Sequence, residues 1–291
     1  MGLFFSSDRF TRPGPGVRPD APRKKGVARL AEIMGRDMWN FFRAGFLAFL
    51  GCLPFIIGMF FAVETHALLF MLLAGIIGGL IAGPELSAMA DTVLRSLRDE
   101  PGYWWETYRR VWKRNARESL VPGMLTGLVL SMQIFTLFHM SVISAGIVTW
   151  VLLILSFVVT LGLESYIWPQ IALLDLPLYG ILKNSLLLFL GYLPRSLGAI
   201  AIKAVYWGAI LLFFPLTTII LPFTNFWLPM LPALLCIYQP LNKCFTIEST
   251  INKMREDELN AALAKDNEPL PEDPTEKATE ASSDDSSSDV Q

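Results

Sequence analysis

Three ionisable side chains, Glu85, Glu164 and Lys203, stand inside long apolar stretches of the chain. Where no water is available an ionised group is costly, so such residues pair, titrate or line a transport path. Counted inward from the ends of their apolar runs, each lies roughly five to seven residues deep, or about 8 to 10 Å at the helical rise. The three can meet at one level, and the reading is a polar cluster in which Lys203 neutralises Glu164 or Glu85. The competing reading has Lys203 snorkelling to the headgroups and both glutamates in shallow, wet positions.

A second chemical signal is the stretch Leu94 to Leu120. As a helix after Pro101-Gly102 it puts Trp104, Tyr108 and Val111 on one face, with Trp105 and Trp112 beside them. Arg109, Arg110, Lys113, Arg114 and Arg117 take the other side. That is the composition of a helix lying in a membrane interface with its basic face toward anionic headgroups; the alternatives are ordinary core packing of the aromatic stripe and a nucleic-acid surface. No RNA- or DNA-binding motif accompanies the stretch, so nucleic acid is not expected as a partner. Gly75, Gly79 and Gly83 recur every fourth residue, as do Gly123 and Gly127, and both sets read as faces where another helix approaches closely. Gln133 and Ser131 are read as bonds to neighbouring helices. His66 and His139 lie at the outer ends of spans and lack a second ligand at metal-binding spacing, so no metal site is read from them. Cys52, Cys236 and Cys244 fit neither a zinc site nor a disulfide scaffold. Nucleophile elbow, P-loop and zinc-protease signatures are all missing, so neither an enzyme nor a cofactor is expected.

The elements that must position these groups follow from composition. With 53% hydrophobic and 17% charged residues in 291, the chain is too apolar for a soluble domain, where charged residues are about 25%. A crossing needs about 20 mostly apolar residues. Ala44 to Val63, Ala67 to Met89, Leu120 to Met140 and Ala145 to Trp168 each supply one. Leu176 to Tyr192 is interrupted by Lys183 and Asn184 and is placed along the inner interface. Ser196 to Asn242 is long enough for two more, turning near Pro215 to Pro222. The expected fold is an all-α polytopic transmembrane bundle of six spans, with five as the alternative. No Lys or Arg occurs between Arg43 and Arg95, between Arg117 and Lys183, or between Lys203 and Lys243. Because cytoplasmic loops collect basic residues, both termini and the Trp-rich stretch are expected in the cytoplasm.

Three regions result: a disordered basic leader over 1–28, a transmembrane domain over 29–250 with an amphipathic cytoplasmic loop at 91–119, and an acidic, serine- and proline-rich disordered tail over 251–291. Within the tail, Ile247 to Leu263 also has the pattern of a short helix. The leader opens Met1-Gly2-Leu-Phe-Phe-Ser6, a loose match to an N-myristoylation pattern.

Gly83-Pro84-Glu-Leu-Ser-Ala88-Met89, Arg98-Asp99-Glu100-Pro-Gly102-Tyr103 and Lys113-Arg114-Asn115 resemble the YesL-like family of bacterial integral membrane proteins, a domain of unknown function. The opening Met1-Gly-Leu-Phe-Phe, Leu53-Pro54, Tyr166-Ile-Trp-Pro169 and Leu182-Lys183-Asn184 add to the similarity, which covers most of residues 30 to 250. The resemblance implies a multi-pass protein of the bacterial cytoplasmic membrane. It also implies a non-enzymatic accessory or assembly role beside carbohydrate ABC transport, with sugar-transporter permease subunits and the lipid bilayer as partners. A stand-alone small-solute transporter or channel built on the Glu85, Glu164 and Lys203 level is the alternative.

Overall fold

The computed structural model describes residues 23–100, 102–140 and 146–266. The leader before residue 23, with its myristoylation pattern, and the acidic tail beyond residue 266 lie outside the described residues. Among the described residues the chain is helical, without strands.

The first helix, α1, runs from Gly26 to Thr65. Its 40 residues reach about 60 Å at 1.5 Å per residue, twice the roughly 30 Å hydrocarbon layer. It stops where His66 turns left-handed and its N–H bonds back to the Val63 carbonyl. α2 spans Leu68–Arg98 and holds a π-helical turn at Ala74–Gly78. Its own stop is Asp99, at φ 59°, whose N–H caps the Arg95 and Ser96 carbonyls. α3 follows as one unbroken helix, Trp104–Phe138. Then come α4 (Ile147–Leu173), α5 (Leu178–Gly191), α6 (Leu193–Leu212, with Pro194 in its first turn), a 3₁₀ turn at Leu216–Thr218, α7 (Leu221–Thr224) and α8 (Trp227–Phe245). From Phe245 onward the chain forms a second unit, which carries α9 (Ile247–Asp266).

Six stretches are long and apolar enough to cross a membrane: α1, α2, α3, α4, α6 and the run Leu221–Phe245. This is a multi-pass, all-α membrane protein. Side chains such as Phe60, Phe61, Leu68, Leu69, Val151 and Leu152 stand exposed on its surface, as lipid-facing residues must. α5, at 14 residues, reaches only about 21 Å and is too short to span.

The centre of the bundle is α2. Every residue from Ser87 to Leu94 is buried, which requires neighbours on all sides; α1, α3 and α4 supply them. The close fit to α3 follows from the glycines. A Cβ on Gly75 would lie 2.8 Å from the Leu128 Cα, one on Gly127 2.8 Å from the Gly79 Cα, and one on Gly123 2.9 Å from the Gly83 Cα. Gly75, Gly79, Gly83, Gly123 and Gly127 therefore form one seam of backbone against backbone.

Three sequence-derived boundaries change. The 91–119 stretch is mostly helix: α2 continues past Met89 to Arg98, and the helix expected after Pro101-Gly102 starts at Trp104. The leader ends earlier than residue 28, since α1 already begins at Gly26. Residues 251–266 lie in α9, the helix expected over Ile247 to Leu263, rather than in the disordered tail placed over 251–291. The turn before α8 also departs from a regular serpentine: Phe223 stacks on Phe42 and Trp227 on Phe41, on the half of α1 that carries Arg36 rather than the half that ends at His66.

Candidate functional site

The polar groups concentrate where the first part of α1 meets the end of α2 and the start of α3. The last carbonyls of α2 have no partner within their own helix, and arginines reach them. Arg36 donates to the Ser96 carbonyl at 2.8 Å, Arg29 to Leu97 at 3.1 Å and Arg23 to Arg98 at 3.1 Å. Cations at a helix C-terminus also suit its dipole.

The same three guanidiniums converge on one carboxylate. Arg29 donates to Asp99 at 2.6 Å, Arg36 pairs with its other oxygen, and Arg23 lies 3.2 Å away. Partial burial raises the Asp99 pKa, but hydrogen bonds from Arg36 and Arg29 and the attraction of their charges outweigh it. The carboxyl therefore sits below its ordinary value of 3.8. Arg98, itself buried, clasps Glu100 at 2.7 and 3.0 Å, and Arg95 bridges Asp91 and Glu100. A cavity of about 300 Å³ opens beside this lattice, with Arg36, Asn40, Arg95, Glu100, Trp104 and Tyr108 in its lining. The guanidinium of Arg43 lies 5.1 Å from the Trp39 ring and 5.7 Å from the Trp104 ring, a cation–π clasp over this end of the bundle.

The interfacial stretch divides in a way that spacing alone does not give. Tyr108 and Val111 are buried against the bundle, as the core-packing alternative requires, while Trp105 and Trp112 remain exposed. Trp104 is partly buried. Arg109, Arg110, Lys113, Arg114 and Arg117 line the outside. Arg110 pairs with Glu106 one turn away, and Arg114 turns back to donate to the Ala172 carbonyl at 2.9 Å, tying α3 to the end of α4.

The three intramembrane candidates fall into two groups. Glu85 accepts hydrogen bonds from the Tyr108 hydroxyl at 2.5 Å and the Trp112 indole N–H at 2.9 Å. Its carboxylate is thus a fastener between α2 and α3, placed where Gly51 on α1 leaves room for its methylenes. Glu164 on α4 and Lys203 on α6 lie within electrostatic reach of one another, without a direct ion pair among the described residues. Cys52 on α1 is buried. Lys203 interacts with Glu164, whereas Glu85 takes neutral donors from α3.

Gln133 donates across to Thr160 on α4 at 2.8 Å. Ser131 instead bonds within its own helix, to the Leu128 carbonyl, and faces Gly75 in the seam. Two meetings of side chains were not read from the sequence. Asp99 as an arginine hub is invisible because its partners lie 63 and 70 residues away. His66 and His139, 73 residues apart, touch at 2.6 Å. That both lie at ends of apolar runs was the only signal for the pair.

No family model, curated protein or solved structure matches this chain.

Proposed function

We propose that the protein is a non-enzymatic accessory or assembly subunit of the bacterial cytoplasmic membrane, whose arginine-rich end meets a membrane partner on the cytoplasmic side. One observation carries the reading. α3 has 35 residues, about 52 Å, so some 20 Å of it exceeds the hydrocarbon layer. That excess is the part fastened to α2 by the Tyr108 and Trp112 bonds to Glu85 and to α4 by Arg114, and faced with Arg109, Arg110, Lys113 and Arg117. A rigid, cationic, Trp-flanked projection suits recognition of another protein's acidic surface at the membrane boundary. The placement of both termini in the cytoplasm rests on the basic-residue pattern. The resemblance to YesL-like proteins suggests a carbohydrate ABC transporter permease as that partner.

Affinity capture from native membranes tests this. The wild type should retain a permease, and a variant with Arg109, Arg110, Lys113 and Arg117 all changed to Glu should lose it while still inserting and folding. Equal capture by both removes the proposal. A second reading, a stand-alone small-solute transporter, draws on the Glu164–Lys203 pair inside apolar helices. Substrate flux by the pure protein in liposomes, lost in Lys203→Met, would favour it instead.

A further inference from the structure

The chain has two histidines in 291 residues, and the fold brings them into contact. His66 occupies the tight turn between α1 and α2; His139 closes the C-terminal end of α3. Their rings meet edge to face, centroids 4.8 Å apart, with His66 Nδ1 2.6 Å from His139 Nε2. His139 is buried and stacks on Phe135 at 4.0 Å, whereas His66 is exposed.

The proton positions follow from the partners. His139 Nδ1 lies 2.7 Å from the Phe135 carbonyl, an oxygen that can only accept, so Nδ1 carries the hydrogen. In the neutral ring Nε2 then presents its lone pair to His66, and His66 Nδ1–H donates to it. An imidazole whose far N–H is fixed by a backbone carbonyl is the arrangement that orients histidine ligands toward metal ions.

We propose that His66 and His139 form a binding site for a borderline divalent transition metal of the Zn²⁺ class, His139 ligating through Nε2 and His66 through Nδ1. Imidazole nitrogens suit such ions, while Mg²⁺ and Ca²⁺ demand oxygen. At about 2.0–2.1 Å per bond in a tetrahedral shell, the two nitrogens stand about 3.3 Å apart. Opening from 2.6 Å asks for a movement of about 0.7 Å, which the exposed His66 ring can supply. The hydrogen shared between the rings does not have to leave the molecule: His66 shifts its N–H from Nδ1 to its other ring nitrogen and ligates as a neutral imidazole. Among the described residues no third His, Cys, Asp or Glu completes the site, so water fills the remaining positions. Binding is accordingly exchangeable and far weaker than at a four-ligand structural zinc.

The test uses the full chain with a tag free of histidine and cysteine, ¹⁵N-labelled at histidine, so that only two imidazoles report. Zn²⁺ titration should shift both rings saturably, move the His66 hydrogen away from Nδ1 and raise Tm by about 2–4 °C. Mg²⁺ should do neither. Both effects should vanish in His66→Gln, a substitution at an exposed position that leaves the bundle folded, and in His139→Gln. Rings unmoved by millimolar Zn²⁺, or a Tm rise that survives in His66→Gln, would overturn the assignment and leave the pair as a hydrogen bond alone.

Discussion

α2 is held at two places, against α3 along its glycines and against α1 at its end, and the two forces differ. Along Gly75–Gly83 the contact is backbone on backbone, in a setting where lipid tails are as apolar as any side chain and hydrophobic burial gives little preference for helix over lipid. Dispersion across a seam of missing side chains is then the available attraction. At Asp99 and Glu100 α2 leaves that setting, and guanidiniums tie its end to the first part of α1. The first force tolerates no added atom. The second tolerates change in proportion to how far each charge is exposed to water.

The seam is the more sensitive of the two regions. Gly79→Leu drives a side chain into the backbone around Gly123 and should destabilise the bundle by more than about 3 kcal/mol, the upper range for overpacking; loss of monodisperse protein on gel filtration in detergent reads this. Asp99→Ala comes next. Removing a partner from a buried ion pair costs about 3–5 kcal/mol, and because the Asp99 side chain is 32% exposed we expect about 2–3 kcal/mol by thermal unfolding, with the membrane-embedded part still helical by circular dichroism.

Glu85→Gln sharpens the contrast between the two regions. It keeps one acceptor for the Tyr108 and Trp112 donors and loses the other, so the expected cost is about 1–2 kcal/mol, accompanied by a changed Trp fluorescence spectrum. Acid titration gives a smaller and signed effect. Because the Asp99 pKa is lowered on folding, its contribution is fully present above the ordinary value of 3.8 and is lost as pH falls through the lower folded value. The wild type should show an acid limb there that Asp99→Asn flattens. Smallest of all, Arg110→Ala removes an exposed i,i+4 pair with Glu106 and should change stability by less than about 0.5 kcal/mol.

The apolar runs, the glycine spacing and the clustering of Lys and Arg were legible in the chain, because the period of a helix and the thickness of a bilayer act on residues near one another in sequence. The seam at Gly79 and Gly123 is a case in point: small residues every fourth position have few other uses in a membrane helix. Asp99 was not legible, since a lone aspartate after Arg98 looks like any solvated turn until α1 delivers Arg29 and Arg36. Glu85 was singled out for its cost in lipid, but its partners are neutral donors on α3, and the charge argument pointed to Lys203 instead.

What the sequence determined by itself is the class of molecule: long apolar helices, their approximate number, and an arginine-rich end distinct from the rest. Which polar side chains answer one another was decided only when the helices packed. Hydropathy and helical period are local properties, whereas the meetings of Asp99 with Arg29, of Glu85 with Tyr108 and of His66 with His139 depend on the rotation and depth of helices far apart in the chain. That rotation is set by where glycines let two backbones touch.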